Sequence, residues 1–449
     1  MSGAMMAQAT GGRWYGTPPS LVTGCSIDSR HATAEQAFVA LRGPNHDGHA
    51  FAAKLDGRIA ALIGERRSAG LWQGMMTPQL LVEDSYQALI DLAACWRQQL
   101  PVRCRVIAVV GSQGKTTLRR MIAHLLQHLG VQVAQTQGNL NNLIGTPLTL
   151  LKVPTASDVA VVECGISEPG EMARLAKMVR PDLVVIPALS LAHSAGLHDL
   201  ATIVREKGVM AQAATEACVV GSGVAEMLAR FEVMVPAPMV TADQQVAWQL
   251  TGSQLILTDD ATSATLNLPW PAAHMAANMA LAATVVRRIV PDSALDVLAH
   301  GLQSWQPMAG RMGMVSGRGG CRILDDSYNA NPASMEAALT TLRAMDGRTV
   351  AILGDMGELG AHARQAHESL GVAGVDCLLL VGSAMRYLAD HQPQAQWFAT
   401  TEALLSALDG LGLSTGDVVL VKGSHMMALE QVVARLMVTR EAEADPYAV

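Results

Sequence analysis

The stretch Gly111-Ser-Gln-Gly-Lys-Thr-Thr117 decides the fold of this chain. It follows the apolar run Val106–Val110 and precedes residues 117–129, where apolar residues recur at helical spacing. A strand, a glycine loop and a helix in this order predict a phosphate-binding loop, because inward N–H groups and a helix N-terminus attract anions. A strict Walker A motif would need glycine where Val109 stands, so this is the shorter GxxGK(S/T) form. The alternative is a chance Gly-Lys-Thr turn.

The loop also assigns roles to its own side chains. Lys115 is expected to reach the outer phosphates of ATP, and the hydroxyl of Thr116 or Thr117 is expected to hold Mg²⁺. The chain is therefore predicted to use ATP. The loop residues expected to contact the nucleotide are Gly111, Ser112, Gln113, Gly114, Lys115, Thr116 and Thr117.

Length and composition limit the class of protein. With 449 residues, 50% hydrophobic and 16% charged, the chain is expected to form about three folded domains. A net charge of −7 gives no electrostatic support for binding nucleic acid. Neither a signal peptide nor an uncharged apolar stretch of ~18 residues is found, so a cytoplasmic protein without membrane insertion is expected. Seven dispersed cysteines favour reduced thiols over zinc sites or disulfides.

Strand-like and helical runs alternate from the phosphate loop onward, and a second such series begins after residue 310. This alternation predicts parallel sheets covered by helices, with ligands at the carboxyl ends of the strands. The fold class is therefore α/β with three domains. The predicted domains are residues 1–98, 99–309 and 310–449. The predicted strands are 106–110, 131–134, 159–164, 183–187, 322–325, 350–353, 377–381 and 418–421, and the predicted helices of the middle domain are 117–129, 170–178 and 200–214.

Further motifs carry a resemblance to a known family. They are Gly138–Pro147 (GNLNNLIGTP), Asp325–Pro332 (DDSYNANP), Gly354–Gly360 (GDMGELG), Val421–Ser424 (VKGS), Asp28–Arg30 (DSR), Phe38–Gly43 (FVALRG) and Asp47–His49 (DGH). Together with the loop, they make the chain similar to the Mur ligases of peptidoglycan synthesis. Within that family the motifs are most similar to the members that add D-alanyl-D-alanine.

The resemblance implies an activity and three domain roles. The substrates would be UDP-N-acetylmuramoyl-tripeptide, D-alanyl-D-alanine and ATP, and an acyl phosphate would precede the amide bond. Such chemistry depends on positioning and charge neutralisation more than on covalent help from the protein. A small N-terminal domain would bind the UDP part, the central domain ATP, and a Rossmann-like C-terminal domain would close over ATP and bind the dipeptide. A monomer is expected.

The resemblance also implies a metal site. Glu163 ends an apolar strand-like run and, with Thr116 and His193, would hold Mg²⁺, a hard ion that prefers oxygen ligands. Lys207 follows His193 by 14 residues and would carry a CO₂-derived carbamate that binds a second Mg²⁺. That reaction requires a buried, neutral amine. The alternative roles are a strand-end cap for Glu163, a packed core residue for His193 and an ordinary surface lysine for Lys207. The predicted catalytic residues are Lys115, Glu163, His193 and Lys207.

The remaining site residues are also implied by the resemblance. Helix packing, capping and turn formation are the alternatives for most of them. The implied nucleotide contacts are Asn139, His274, Asn278, Arg311 and Asp326. The implied contacts to the peptide substrates are Asn142, Tyr328, Asn329 and Asn331. The implied contacts to the UDP part are Ser26, Asp28, Ser29, Arg30, Asp47 and His49, of which the last two are equally explained as turn residues.

Some positions depart from the family pattern, although none of them removes a phosphate, metal or carbamate group. Met275 stands where asparagine is common, Ala272 where glycine is usual, and His425 where arginine is typical. Ser194 lies where an acidic residue is common nearby. The alternatives to the main reading are a Mur ligase that adds the third amino acid, a non-catalytic nucleotide-binding scaffold, and a P-loop kinase or GTPase.

Overall fold

The computed structural model describes residues 1–191 and 194–438, which form four β-sheets in sequence. Three of these sheets are mainly parallel and are covered by helices, which confirms the predicted α/β class. Within the described part of the chain, no helix is both long and apolar enough to cross a membrane.

The N-terminal unit contains a five-stranded sheet in the order β1-β5-β4-β3-β2. Strand β1 is antiparallel to β5, and the other pairs are parallel. Its strands are Arg13–Tyr15 (β1), Gly24–Ser26 (β2), Gln36–Val39 (β3), Ala61–Glu65 (β4) and Gln79–Val82 (β5). Its α-helices are Gly3–Thr10 (α1) and Ser85–Gln99 (α2), and its 3₁₀ helices are Gly48–Leu55 and Arg66–Trp72.

The central unit contains a six-stranded parallel sheet in the order β11-β10-β9-β6-β8-β7. Strand β6, which leads into the phosphate loop, lies between β9 and β8, and Val109 is in register with Glu163. The strands are Arg105–Val109 (β6), Val133–Gln135 (β7), Val159–Glu163 (β8), Leu183–Ile186 (β9), Ala217–Val220 (β10) and Met239–Thr241 (β11). The helices are Lys115–His128 (α3), Gly145–Leu151 (α4), Glu171–Val179 (α5), Ser194–Leu197 (α6), Leu200–Gln212 (α7) and Val224–Arg230 (α8).

Helix α3 begins directly after the loop and is fixed by its apolar face. Leu118, Ile122 and Leu125, spaced by four and three residues, are each fully buried. Burying each such side chain contributes roughly 1.5–3 kcal/mol relative to exposure. Gly114, just before the helix, has a φ of +77°, in the region that favours glycine. The packing of α3 therefore holds Lys115 at the helix N-terminus.

A three-stranded antiparallel sheet, β12-β13-β14, follows the central sheet and is not among the predicted elements. Its signal was a period of two: Leu255 and Leu257 are buried, as are Ala264 and Leu266. The strands are Ala247–Thr251 (β12), Gln254–Thr258 (β13) and Ser263–Asn267 (β14), followed by helices Ala273–Ile289 (α9) and Leu295–Ser304 (α10).

The C-terminal unit has a six-stranded sheet in the order β15-β16-β20-β17-β18-β19, in which β15 is antiparallel to β16 and the other pairs are parallel. Its four predicted strands are all found. The strands are Gly313–Ser316 (β15), Arg322–Asp326 (β16), Thr349–Gly354 (β17), Cys377–Val381 (β18), Gln396–Phe398 (β19) and Val418–Lys422 (β20). The helices are Pro332–Arg343 (α11), Ala363–Glu368 (α12), Met385–Ala389 (α13), Thr401–Ala407 (α14) and Glu430–Leu436 (α15).

Candidate active site

A cavity of about 480 Å³ lies between the carboxyl end of the central sheet, helix α9 and the C-terminal unit. This volume is within the range of small-molecule sites. Most of the predicted nucleotide and peptide contacts meet here, although they come from distant parts of the chain. The predicted residues that line the cavity are Ser112, Gln113, Gly114, Lys115, Thr116, Thr117, Asn139, Asn142, Glu163, His274, Asn278, Arg311, Asp326, Tyr328, Asn329 and Asn331.

Lys115 is held within the phosphate loop by a backbone carbonyl. Its Nζ donates a hydrogen bond to the carbonyl oxygen of Gly111 at 2.9 Å. Burial lowers the pKa of Lys115, while the nearby Glu163 carboxylate raises it. The loop is tied to the strand beside it, since the N–H of Ser112 donates to the carbonyl of Ala188 at 2.9 Å. An incoming phosphate can therefore replace a single carbonyl contact of the Lys115 ammonium.

Glu163 sits beside the loop with only 1% of its surface exposed. Its Oε1 accepts hydrogen bonds from the Thr116 hydroxyl at 3.0 Å and from the Asn141 amide at 2.8 Å. Its Oε2 lies 3.3 Å from Nε of Arg119 and has no hydrogen-bond partner in the described part of the chain. A threonine hydroxyl beside a buried carboxylate is a pair of oxygen ligands that suits Mg²⁺.

The structure describes only some of the other predicted metal ligands. His193 lies outside the described residues. Within residues 1–191 and 194–438, no group of three or more His, Cys, Asp or Glu side chains is arranged to hold a metal ion. Of the predicted metal ligands, Thr116, Glu163 and Lys207 are thus within the described residues.

Lys207 is fully buried on α7, directly beneath the phosphate loop. Its Nζ donates to the same Gly111 carbonyl at 3.0 Å, so this oxygen accepts from two lysines. Burial lowers the pKa of Lys207 well below its ordinary value, and the charge of Lys115 lowers it further. The surface-lysine alternative is therefore wrong.

Helix α9 brings His274 and Asn278 to the cavity from the central unit. The Asn278 amide lies against Gly114, where an added Cβ would meet it at 3.4 Å. Burial lowers the pKa of His274, while the facing Asp326 raises it and Lys422 lowers it. His274 therefore faces the polar groups of the C-terminal unit across the cavity.

Residues at the end of β16 and in the loop after it make both long-range contacts and a local helix cap. Asp326 pairs with Nζ of Lys422 at 2.6 Å, and the same Nζ donates to the carbonyl of Asn329 at 2.8 Å. Asn331 caps α11, accepting from the N–H of Ser334 at 2.9 Å. The capping alternative therefore describes Asn331 at least as well as a ligand contact, although this residue also lines the cavity.

The predicted UDP contacts lie in the N-terminal unit and do not line this cavity. Asp28 accepts from Arg30 at 2.9 and 2.7 Å, and these hydrogen bonds lower the pKa of Asp28. Ser26 accepts from the N–H of Asp28 at 3.2 Å within the same exposed turn. His49 is 1% exposed, with Nδ1 2.6 Å from Asp47 and Nε2 accepting from the N–H of Glu65. This placement favours the turn-residue alternative for Asp47 and His49.

Four cavity or near-cavity residues were missed by sequence reasoning. Asn141 rather than Asn142 contacts Glu163, whereas the Asn142 side chain accepts from the N–H groups of Ile144 and Gly145 at the start of α4. The missed residues are Arg119, Asn141, Glu358 and Lys422. Lys422 had a signal, because it ends strand β20 inside the VKGS motif.

The fold and the site together define a P-loop enzyme in which a second α/β unit closes one side of the nucleotide cavity. Family models described as the Mur ligase middle domain and the Mur ligase glutamate ligase domain match residues 109–286 and 310–425. The UDP-N-acetylmuramoyl-tripeptide–D-alanyl-D-alanine ligase of Escherichia coli K12 is 35% identical, covering 92% of this chain and 93% of that protein. The chain belongs to the Mur ligase family and is an ATP-dependent ligase.

Solved structures agree with this assignment. A crystal structure of MurF from Acinetobacter baumannii is 28% identical, has a TM-score of 0.85, and covers 97% of this chain and 98% of its own. MurF ligase from Thermotoga maritima, solved in complex with ADP, has a TM-score of 0.79 at 24% identity, with coverage of 92% and 96%. The latter comparison supports the fold.

Proposed function

We propose that the chain joins D-alanyl-D-alanine to UDP-N-acetylmuramoyl-tripeptide in the cytoplasm, converting ATP to ADP and phosphate. The observation that carries this is one cavity lined by the phosphate loop, by Arg311 and by the Asp326–Lys422 pair. The E. coli relative named for this reaction is similar along 93% of its length. Peptide substrates and nucleotide would meet where the central and C-terminal units face each other.

The reaction explains why the cavity is rich in cations. A carboxylate oxygen of the tripeptide attacks the γ-phosphorus of ATP, and the bond to the bridging oxygen breaks to release ADP. The dipeptide amine then attacks the acyl carbon and loses a proton, and the carbon–oxygen bond to phosphate breaks. Both steps gather negative charge on phosphate oxygens, which Lys115, Arg311 and the N-terminus of α3 stabilise. We assign Lys115 as the phosphate-binding lysine.

We assign Mg²⁺ binding to Thr116 and Glu163, with His193 as a further ligand. The support is the 3.0 Å contact between the Thr116 hydroxyl and Glu163, together with the burial of both residues beside the phosphate loop. When bound, the ion supplies positive charge to the phosphate oxygens. Asn141 donates to Oε1 of Glu163 and Arg119 lies 3.3 Å from Oε2, so the two side chains hold the carboxylate in place.

We further infer that Lys207 is carbamylated and contributes to a second Mg²⁺ site. A neutral Nζ would attack the carbon of CO₂, forming a C–N bond and releasing a proton. Full burial and the lowered pKa favour the neutral amine that this reaction needs. The product would replace the Lys207 amine beneath the loop with an anionic oxygen ligand.

The three domains are proposed to divide the substrates between them. Residues 1–98 would bind the UDP part, with Ser26, Asp28, Ser29 and Arg30 on an exposed turn as the contacts. Residues 99–309 would bind ATP, and residues 310–449 would close over it and bind the dipeptide. Closure would exclude water from the acyl phosphate. A monomer suffices for this arrangement.

The test is phosphate release from ATP in the presence of Mg²⁺ and UDP-N-acetylmuramoyl-tripeptide, with and without D-alanyl-D-alanine. Release should require both substrates and be lost in Lys115→Ala, while the exposed Lys177→Ala serves as the matched control. Release with UDP-N-acetylmuramoyl-dipeptide and a diamino acid instead would assign the chain to the preceding ligation step. Tight ADP binding without any release would support a scaffold.

A further inference from the structure

Tyr328 contacts two basic side chains that come from separate segments of the C-terminal unit. The guanidinium carbon of Arg311 lies 4.1 Å from the centre of the Tyr328 ring. The imidazole of His425 stacks on the same ring, with centroids 5.3 Å apart and an interplanar angle of 25°. Arg311 and Tyr328 line the nucleotide cavity, whereas His425 is exposed at the end of the loop after β20.

The Arg311 guanidinium packs on the face of this ring. Its Nε is buried and has no hydrogen-bond partner in the described part of the chain. Arg311 lines the same cavity as the phosphate loop, and its charge contributes to the lowered pKa of Lys115. A cation over an aromatic face is held by the quadrupole of the ring, so the orientation of Tyr328 determines where Arg311 points.

The backbone of Tyr328 is held by hydrogen bonds, whereas its ring packs against Arg311 and His425. The N–H of Tyr328 donates to the carbonyl of Gly310 at 3.0 Å, and the N–H of Gly310 donates to Asp325 at 2.6 Å. The segment before His425 is also fixed, since the hydroxyl of the buried Ser424 accepts from the N–H of Gly357 at 2.5 Å. The His425 imidazole therefore stacks on the Tyr328 ring from a loop whose backbone is held in place.

We propose that His425 is a positioning residue for nucleotide binding, which acts through Tyr328 to hold Arg311 toward the phosphates. The inference rests on the proposed function, because it requires ATP to occupy this cavity. Stacking rather than charge is the property that matters.

The test measures ADP affinity by isothermal titration calorimetry and steady-state kinetics on the full chain. His425→Ala should weaken ADP binding and raise the KM for ATP by about five-fold, the effect of one lost aromatic stack. His425→Phe should restore both values to within about two-fold. His391→Ala, at an exposed histidine of the same unit, should change neither.

A double-mutant cycle separates positioning from a local effect. If His425 acts through Arg311, His425→Ala should have almost no further effect in an Arg311→Ala background. Additive effects would overturn the inference, and so would a raised KM for the dipeptide alone. Failure of the wild-type chain to bind ADP would instead overturn the proposed function, so the two failures are distinguishable.

Discussion

Lys207 and Lys422 are both buried lysines close to the same cavity, yet their surroundings differ in one respect. Lys422, 2% exposed, pairs with the Asp326 carboxylate at 2.6 Å and with a backbone carbonyl. Lys207, fully buried, donates to the Gly111 carbonyl and pairs with no carboxylate in the described part of the chain. The positive charge of Lys115 lowers the pKa of Lys207 further.

The comparison shows that burial alone does not determine the chemical role of a lysine, since the presence of a carboxylate partner also matters. A paired lysine can fix the loop around it, because the carboxylate replaces the lost water. An unpaired one loses its proton more readily, which makes its nitrogen a nucleophile. By this reasoning Lys422 organises the C-terminal side of the cavity, and Lys207 is suited to modification.

The largest effect is expected from removing the amine of Lys207. Lys207→Ala should lower the turnover number by roughly 100- to 1000-fold, the usual result of losing one charged group that stabilises a transition state. If a carbamate is the active form, acetate or propionate should restore part of the activity by supplying a carboxylate. Phosphate release measures both effects.

ADP binding and the thermal unfolding midpoint show whether that variant is folded, and Lys177→Ala is the matched surface control. Retention of full activity in Lys207→Ala would reduce this lysine to a packing role. Loss of activity without rescue by any short acid, in a folded variant, would count against a carbamate.

The second largest effect should be on stability rather than catalysis. Lys422→Met leaves Asp326 without its partner, and breaking a buried ion pair in this way costs about 3–5 kcal/mol of unfolding free energy. The double variant Lys422→Met, Asp326→Asn should recover much of the loss, because both charges are then gone. Urea denaturation measures each value. Equal stability of the single and double variants would show that the pair does not fix the loop.

A smaller effect is expected beside Glu163, and two adjacent asparagines provide a matched pair. Asn141→Ala removes a donor to Glu163, so the Mg²⁺ concentration for half-maximal activity should rise by about 10-fold. Asn142→Ala removes the acceptor at the start of α4, so it should cost about 1 kcal/mol of stability and leave the Mg²⁺ dependence unchanged. The reverse pattern would contradict the assignment of these residues.

Much of the cavity was predictable because parallel strands end at one edge of a sheet. Glu163 follows from its place at the end of a strand, and the Val109–Glu163 register brings it to the loop. The burial of Lys207 did not follow from the sequence, because a helix of mixed composition does not show which face packs inward. Only tertiary packing decides that its nitrogen reaches Gly111.

Other parts depended on contacts that have no local signature. Nothing in the sequence distinguishes Asn141 from Asn142, since the choice depends on which side chain contacts Glu163 and which accepts from backbone N–H groups at the start of α4. His49 was assigned from resemblance alone, and the fold surrounds it completely. The stack of His425 on Tyr328 joins residues that are 97 positions apart.

The smallest predicted effect concerns the pH dependence of stability in Lys207→Met. The folded-state pKa of Lys207 lies below its unfolded value of 10.5, so between those two values the unfolded chain binds the extra proton. The unfavourable contribution of Lys207 is therefore complete below the folded pKa, and it disappears as the pH rises toward 10.5. Lys207→Met should be more stable than wild type in CO₂-free buffer at neutral pH, and the difference should shrink as the pH is raised. Urea titrations of both chains at several pH values measure this difference, which cancels the titration of all shared groups. A pH-independent difference would mean that Lys207 is already paired with a charge.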